Sequence, residues 1–189
     1  MEMDKKKLVK IGIPILIVLL VAGAWSIKNQ EAVEPVTADI QVEASASEPV
    51  AVNDPNFTLH TEKIDLEVLS AYKLPMILDF GSDDCIPCKE MAPVLKTMNT
   101  EMQGKAIIRF VDVWKYTDGA DGFPVQVIPT QVLVTADGKP YVPSEAMNDS
   151  GIRFSMYSAN DTGAHIFTVH QGGLTEEQMR LILKDMGVV

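Results

Sequence analysis

Cysteine and histidine are both scarce here: the 189 residues hold two cysteines and three histidines. Two cysteines exclude a scaffold held by several disulfides, and three histidines leave little from which to build a metal cluster. Basic residues are also few once the first 28 positions are passed. Those positions carry five lysines against two acids, while the remaining 161 hold 11 basic and 24 acidic side chains. A body that acidic repels phosphate backbones, which excludes nucleic acid as an expected partner. No period of 20–50 residues recurs, so a solenoid is excluded too. Apolar residues make up 47% of the chain, enough for a packed core of ordinary size.

The one long apolar run lies at the amino terminus. Lys5, Lys6, Lys7 and Lys10 precede an uncharged stretch from Ile11 to Ile27, about the minimum that crosses a hydrocarbon layer as a helix. Pro14 falls in its first turn, where a missing N–H is tolerated. Lysines before the span and Glu31 and Glu34 after it keep the tip in the cytoplasm and put the body outside. Two readings remain open. Ala22-Gly23-Ala24 has the form of a signal-peptide cleavage site, whereas the apolar run continues through Trp25 to Ile27 as an uncleaved anchor does. The anchor is the preferred reading, and both export the body. The expected domains are 1–28 (cytoplasmic tip and transmembrane anchor or signal segment), 29–55 (a disordered linker) and 56–189 (the folded domain). The linker has Pro35, Pro49 and six acids between Asn29 and Asp54, with no basic residue, so it is solvated and extended.

Within the folded part, periodicity predicts a strand at 57–60, a helix near 64–72 and a buried strand at 76–80. A helix over 86–102 follows, with Pro93 inside it, then strands at 106–113, 130–134 and 166–169. The last helix, 174–186, has Thr175 as a cap and Gly187 as a stop. Strands alternating with helices, then a hairpin, imply an α/β fold: a central mixed β-sheet with helices on both faces. Residues 140–164, rich in turn signals, read as an irregular surface insert. A short extra strand is expected from the apolar patch Ile152, Phe154, Met156 and Tyr157. Met91, Met98 and Met102 share one helical stripe and belong to the core.

Chemistry concentrates at Cys85-Ile86-Pro87-Cys88, between a buried strand and a helix. At a helix N-terminus Cys85 faces orphan backbone N–H groups that favour its thiolate, which makes it the nucleophile, expected to stand exposed. Cys88, one turn in and more buried, suits the resolving role. A disulfide closing so short a loop is a poor structural staple, and a zinc site needs two further ligands. Asp79, set among Met76, Ile77, Leu78 and Phe80, is costly to bury without a task. Burial would raise its pKa and suit it to accept a proton from Cys88.

From Ile77 to Thr130 the chain resembles thioredoxin: Ile-Leu-Asp-Phe, then Cys-x-Pro-Cys-Lys, Ala92-Pro93, and Val127-Ile128-Pro129-Thr130. Gly172-Gly173-Leu174-Thr175 resembles the start of that family's last strand–helix junction. The resemblance implies a thioredoxin fold and a thiol–disulfide oxidoreductase without a cofactor or metal. It implies that Pro129 is a cis-proline beside the cysteines, and that Ile86, Pro87, Ile128 and Pro129 meet the substrate. It also makes Asp79 the buried acid beneath Cys88. The departures are the missing aromatic before Cys85, where Asp83 and Asp84 stand instead, and Phe110 in place of a lysine near Asp79. Two acids beside Cys85 oppose its thiolate, which points to a reductant with a potential nearer about −270 mV than about −120 mV. Expected partners are disulfide-containing exported proteins, as in cytochrome c maturation, and an integral membrane electron donor, with the chain acting as a monomer. The alternatives are a disulfide oxidase of the same fold and a copper-delivery protein; the latter lacks the wider cysteine spacing and the histidine of copper chaperones.

Overall fold

The computed structural model describes residues 54–189. The expected membrane segment over 1–28, and the expected linker up to residue 53, lie outside them. No helix among the described residues is long and apolar enough to cross a membrane.

Six strands form one sheet: β1 (His60–Thr61), β2 (Met76–Gly81), β3 (Ile107–Asp112), β4 (Thr130–Val134), β5 (Ser155–Ser158) and β6 (His165–Gln171). Their order is β1-β3-β2-β4-β6-β5. β2 pairs parallel with β3 and antiparallel with β4, so the sheet is mixed. Among the described residues three α-helices accompany it: α1 (Leu66–Ser70), α2 (Ile86–Glu101) and α3 (Glu176–Asp185). Every residue of β2, β3 and β4 is buried, as expected of mostly apolar strands covered on both sides, with Asp79, Arg109, Asp112, Thr130 and Gln131 as the buried polar exceptions.

Alternation along the strands divides the core. Ile77, Ile108 and Leu133 meet Met91, Leu95 and Met98 of α2 and Met179 and Ile182 of α3. The three methionines of the predicted stripe are buried in or beside this layer. On the other face Met76, Leu78, Phe80, Ile107 and Val132 pack with Phe57 and Leu69. That second face is poorer in helix than expected. The five-residue α1 covers part of it, and the rest is chain 113–125, built of turns, whose Phe123 ring lies 4.8 Å from that of Phe80.

Of the expected strand at 57–60 only His60 is paired in β1; Phe57 ends a 3-10 turn, Pro55–Phe57, and Thr58 and Leu59 belong to no helix or strand. Asp54 accepts a hydrogen bond from Asn56 N at 2.8 Å and starts the turn, whose Pro55 has no N–H for a ladder. Phe57 is thereby turned into the core, and β1 shrinks to two residues. Helix α1 is likewise shorter than predicted because Asp65 caps it, accepting from Val68 N at 3.1 Å. Leu69 is buried on its core side, whereas Val68 is 45% exposed. At the other end of the domain the expected signals hold: Thr175 and Gln178 form a capping box, and Gly187, at φ 92°, takes the left-handed step that ends α3.

The 140–164 insert is no mere surface segment. The β4 hairpin breaks after a single bridge from Val134 to Pro140, which has no N–H to continue pairing. Tyr141, Met147 and Ile152 then enter the core under α2 and α3. Asp185 of α3 holds the segment, accepting from Tyr141 Oη at 2.5 Å, Ser144 Oγ at 2.5 Å and Ser144 N at 3.0 Å. The expected extra strand forms as β5, antiparallel to β6 at the sheet edge.

Candidate active site

The site lies at the carboxyl end of β2, where the chain leaves the sheet and enters α2. Cys85 is the N-cap of α2 and Cys88 lies in its first turn; both are free thiols. Pro87 occupies the first turn without loss, because its missing N–H would have had no intrahelical partner. Cys88, at 3% exposure, is the more buried of the pair. Cys85 is only 8% exposed, against the expectation of an open sulfur. The reason is tertiary: Cys85 Sγ lies 4.0 Å from the carbonyl oxygen of Ile128, in the loop before β4. Its neighbour Ile86 takes the open position instead, 72% exposed, as does Val127 at 52%.

The Ile128–Pro129 bond is cis, as the resemblance implies. Pro129 O accepts from Gly172 N at 2.9 Å, which ties this loop to the end of β6. Of the four expected substrate-contacting residues, Ile128 lies beside the covered Cys85 sulfur and Pro129 follows it across the cis bond, while Ile86 and Pro87 follow Cys85 in the first turn of α2.

The loop 82–84 is fixed by a residue sequence reasoning missed. Asp112, the last of β3, accepts from Asp83 N at 2.9 Å and from Trp114 N and Lys115 N at 3.0 Å each. Burial alone would raise its carboxyl pKa, but these backbone donors outweigh burial and hold it below the ordinary value. An acid closing an apolar strand was the available signal. Asp84, beside Cys85, has Lys89 Nζ at 3.9 Å, both on the surface.

Behind Cys88 the packing is close. A methyl group added at Gly81 would stand 3.0 Å from Phe110 Cε2 and 3.2 Å from Cys88 Sγ. Burial, then the neighbouring Cys85 sulfur, push the Cys88 thiol up to about 12. Asp79 is close enough for its charge to add to that rise. Its carboxyl is 1% exposed, and burial lifts it to about 7. Phe110 stands opposite Asp79 in the register, while Arg109 points to the other face and donates to Pro55 O at 2.9 Å. No cation therefore sits on the Asp79 side of β3. The second missed residue is Gln131, fully buried, whose Nε2 donates to Asp79 Oδ1 at 2.6 Å. A polar residue in the run Thr-Gln-Val-Leu-Val was its signal.

A cavity of about 520 Å³ opens beside Cys88, lined by Leu59, His60, Leu95, Lys96 and Phe110 among others. His165 and His170 serve the insert and β6: His170 Nδ1 meets Arg153 O at 2.9 Å, and His165 Nε2 meets Thr168 Oγ1 at 2.8 Å. No group of three or more metal-ligating side chains occurs among the described residues.

A thiol at a helix mouth, a second thiol one turn in, and a buried carboxyl behind it define a dithiol exchange site on a thioredoxin fold. The thioredoxin family profile matches residues 56–156, more than half of the chain. Thioredoxin 1 of Chlorobaculum tepidum is 37% identical over 67 residues, 35% of this chain and 66% of that protein. Thioredoxin C-2 of Corynebacterium nephridii is 37% identical over 78 residues, 41% of this chain and 70% of the relative. The thioredoxin of Staphylococcus haemolyticus is 38% identical over 91 residues, covering 48% and 77% respectively. Fasciola hepatica thioredoxin superposes with a TM-score of 0.44 at 19% identity, over 67% of this chain and 97% of its own. The chain belongs to the thioredoxin family of disulfide oxidoreductases.

Proposed function

We propose that this protein is a membrane-anchored, extracytoplasmic thioredoxin that reduces disulfides in exported proteins, those of cytochrome c maturation among them. The observation that carries the exchange chemistry is the placing of Cys85 Sγ 4.0 Å from Ile128 O, with Cys88 and buried Asp79 behind it. A substrate chain laid along Ile128 pairs with that backbone and brings its disulfide to Cys85. The Cys85 thiolate attacks one substrate sulfur; the substrate S–S bond breaks, a mixed disulfide forms, and the departing thiolate takes up a proton. Asp79, whose raised pKa suits it to proton transfer near neutrality, accepts the Cys88 proton. Cys88 then attacks Cys85 and expels the second substrate thiol, leaving a Cys85–Cys88 disulfide. Two electrons have passed to the substrate.

The location rests on the basic-then-apolar pattern of the first 28 residues. Outside the cytoplasm no reductant pool regenerates the dithiol, so an integral membrane electron donor reduces it. The decisive experiment is Cys88→Ala in intact membranes, which leaves mixed disulfides unresolved on Cys85. Exported substrates and a membrane donor are expected on Cys85; a trap that captures only cytoplasmic proteins overturns the location. Cys85→Ser is expected to abolish reduction of insulin disulfides while the fold survives, and retained activity overturns the mechanism.

A further inference from the structure

Under α2, strand register sets one residue from each of five strands in a row. His60 pairs with Phe110, Phe110 with Asp79, Asp79 with Gln131, and Gln131 with His170. Directly paired residues share a face of the sheet, so the row passes beneath the first turns of α2. Gln131 is its unexplained member. It is fully buried in a strand whose other α2-side position is Leu133, and a partly satisfied amide there is costly.

The amide is oriented from two sides. Nε2 donates to Asp79 Oδ1 at 2.6 Å and approaches Met91 Sδ at 3.8 Å. That sulfur is itself held by Leu174 N at 3.0 Å. Asp79 Oδ2 and Gln131 Oε1 have no hydrogen-bond partner among the described residues. One carboxyl oxygen is thus engaged by a fixed donor, and the other is left to take a proton. A donor so placed favours the carboxylate over the acid.

We propose that Gln131 is a positioning residue for disulfide exchange: its amide holds the Asp79 carboxylate with one oxygen engaged and the other open to the Cys88 proton, and so sets the pH at which the mixed disulfide is resolved. The inference rests on the proposed role of Asp79 as acceptor of that proton. The titratable side chains about Asp79 are Cys85 and Cys88 on α2, His170 beyond Gln131 on β6, and His60 beyond Phe110 on β1. Asp83, Lys89 and Lys96 line the cavity that reaches Cys88. From β3 comes Phe110, and from α3 the apolar Met179 and Ile182.

The test uses the full-length chain in detergent, with thionitrobenzoate loaded on Cys85 at acid pH. A jump to higher pH lets Cys88 attack, and released thionitrobenzoate reports the rate. Gln131→Met and Gln131→Leu are expected to move the midpoint of the pH profile up by about one pH unit. The rate at pH 7 then falls about fivefold while the alkaline plateau is kept, because the ionised fraction drops from roughly one half to one tenth. A midpoint equal to wild type in these variants overturns the inference. Asp79→Asn separates the two levels: if it leaves the wild-type profile intact, the Asp79 role itself fails. If it abolishes the profile while the Gln131 variants do not move it, only the Gln131 inference fails. In wild type, the Gln131 side-chain amide resonance is expected to titrate with the Asp79 carboxyl midpoint, so the inference stays testable even if the variants do not fold. An amide signal unmoved through that midpoint overturns it.

Discussion

Replacing Asp79 by asparagine is expected to make the folded protein more stable above neutrality, even as it slows exchange. Burial lifts the Asp79 carboxyl from 3.8 to about 7, with Gln131 opposing the rise. The folded state therefore binds this proton more tightly than the unfolded chain does. Its advantage is complete below pH 3.8, fades as pH rises towards 7, and above that the fold bears the whole cost of a buried charge. With about 1.36 kcal/mol for each pH unit, the cost is roughly 4 kcal/mol, a large share of the about 5–15 kcal/mol typical of a domain. Asparagine keeps an oxygen for Gln131 Nε2 and carries no charge. Urea unfolding of both proteins, cysteines reduced, is the assay. The stability gap is expected to be near zero at pH 4 and to reach several kcal/mol in favour of Asp79→Asn at pH 8. The carboxyls held below their ordinary value, Asp54, Asp112 and Asp185 among them, are common to both proteins and cancel in the difference. A gap that does not change with pH, or a wild type more stable than the variant at pH 8, refutes the reasoning.

Other outcomes follow from the same packing. Asp112→Ala removes the acceptor of three backbone N–H groups and is expected to cost about 2–3 kcal/mol, with loop 82–84 loosened; hydrogen exchange at Asp83 N reports it. Because the Asp112 carboxyl lies below its ordinary value in the fold, its contribution is present above pH 3.8 and lost as pH falls through the lowered value. Acid unfolding of the Asp112→Ala variant should accordingly be less steep in that range than that of wild type. Gly81→Ala places a methyl against Phe110 and Cys88 and is expected to cost about 1–3 kcal/mol in urea unfolding; an unchanged midpoint contradicts the close approach. Asp185→Ala frees Tyr141 and Ser144, so limited proteolysis is expected to cut first within 142–164; unchanged resistance means that Met147 and Ile152 alone retain the insert. Equilibration with dithiothreitol buffers is expected to place the couple nearer about −270 mV than about −120 mV, and a value above about −180 mV contradicts a reductant.

Much of the site was legible because its signals are local. A buried strand, two cysteines one turn apart and a helix with apolar spacing lie within Met76–Glu101, and each depends on near neighbours in the chain. Asp79 stood out because an acid amid apolar residues is costly wherever the strand goes. The cap at Thr175, the stop at Gly187 and the methionine stripe were readable for the same reason. Errors arose where a local pattern met a distant partner. Phe57 left the predicted strand because Asp54 and Pro55 make a turn that buries it, and the turns over 113–125 carry no periodicity to announce that they cover a sheet face. The insert looked like surface because Tyr141, Met147 and Ile152 are too widely spaced to form an apolar run; Asp185, 41 residues beyond Ser144, brings them to the core.

From the sequence alone came the exchange chemistry, the elements that carry it and the acid expected to serve it, since residue type and short-range spacing encode all three. Tertiary structure decided how covered Cys85 is, which carbonyl lies beside it, and that Gln131 and Asp112 hold the acid and the loop. Those depend on strand register, where residues 52 apart in the chain, such as Asp79 and Gln131, become hydrogen-bond partners. A register is chosen by the packing of both sheet faces at once, and no window of neighbouring residues contains that information.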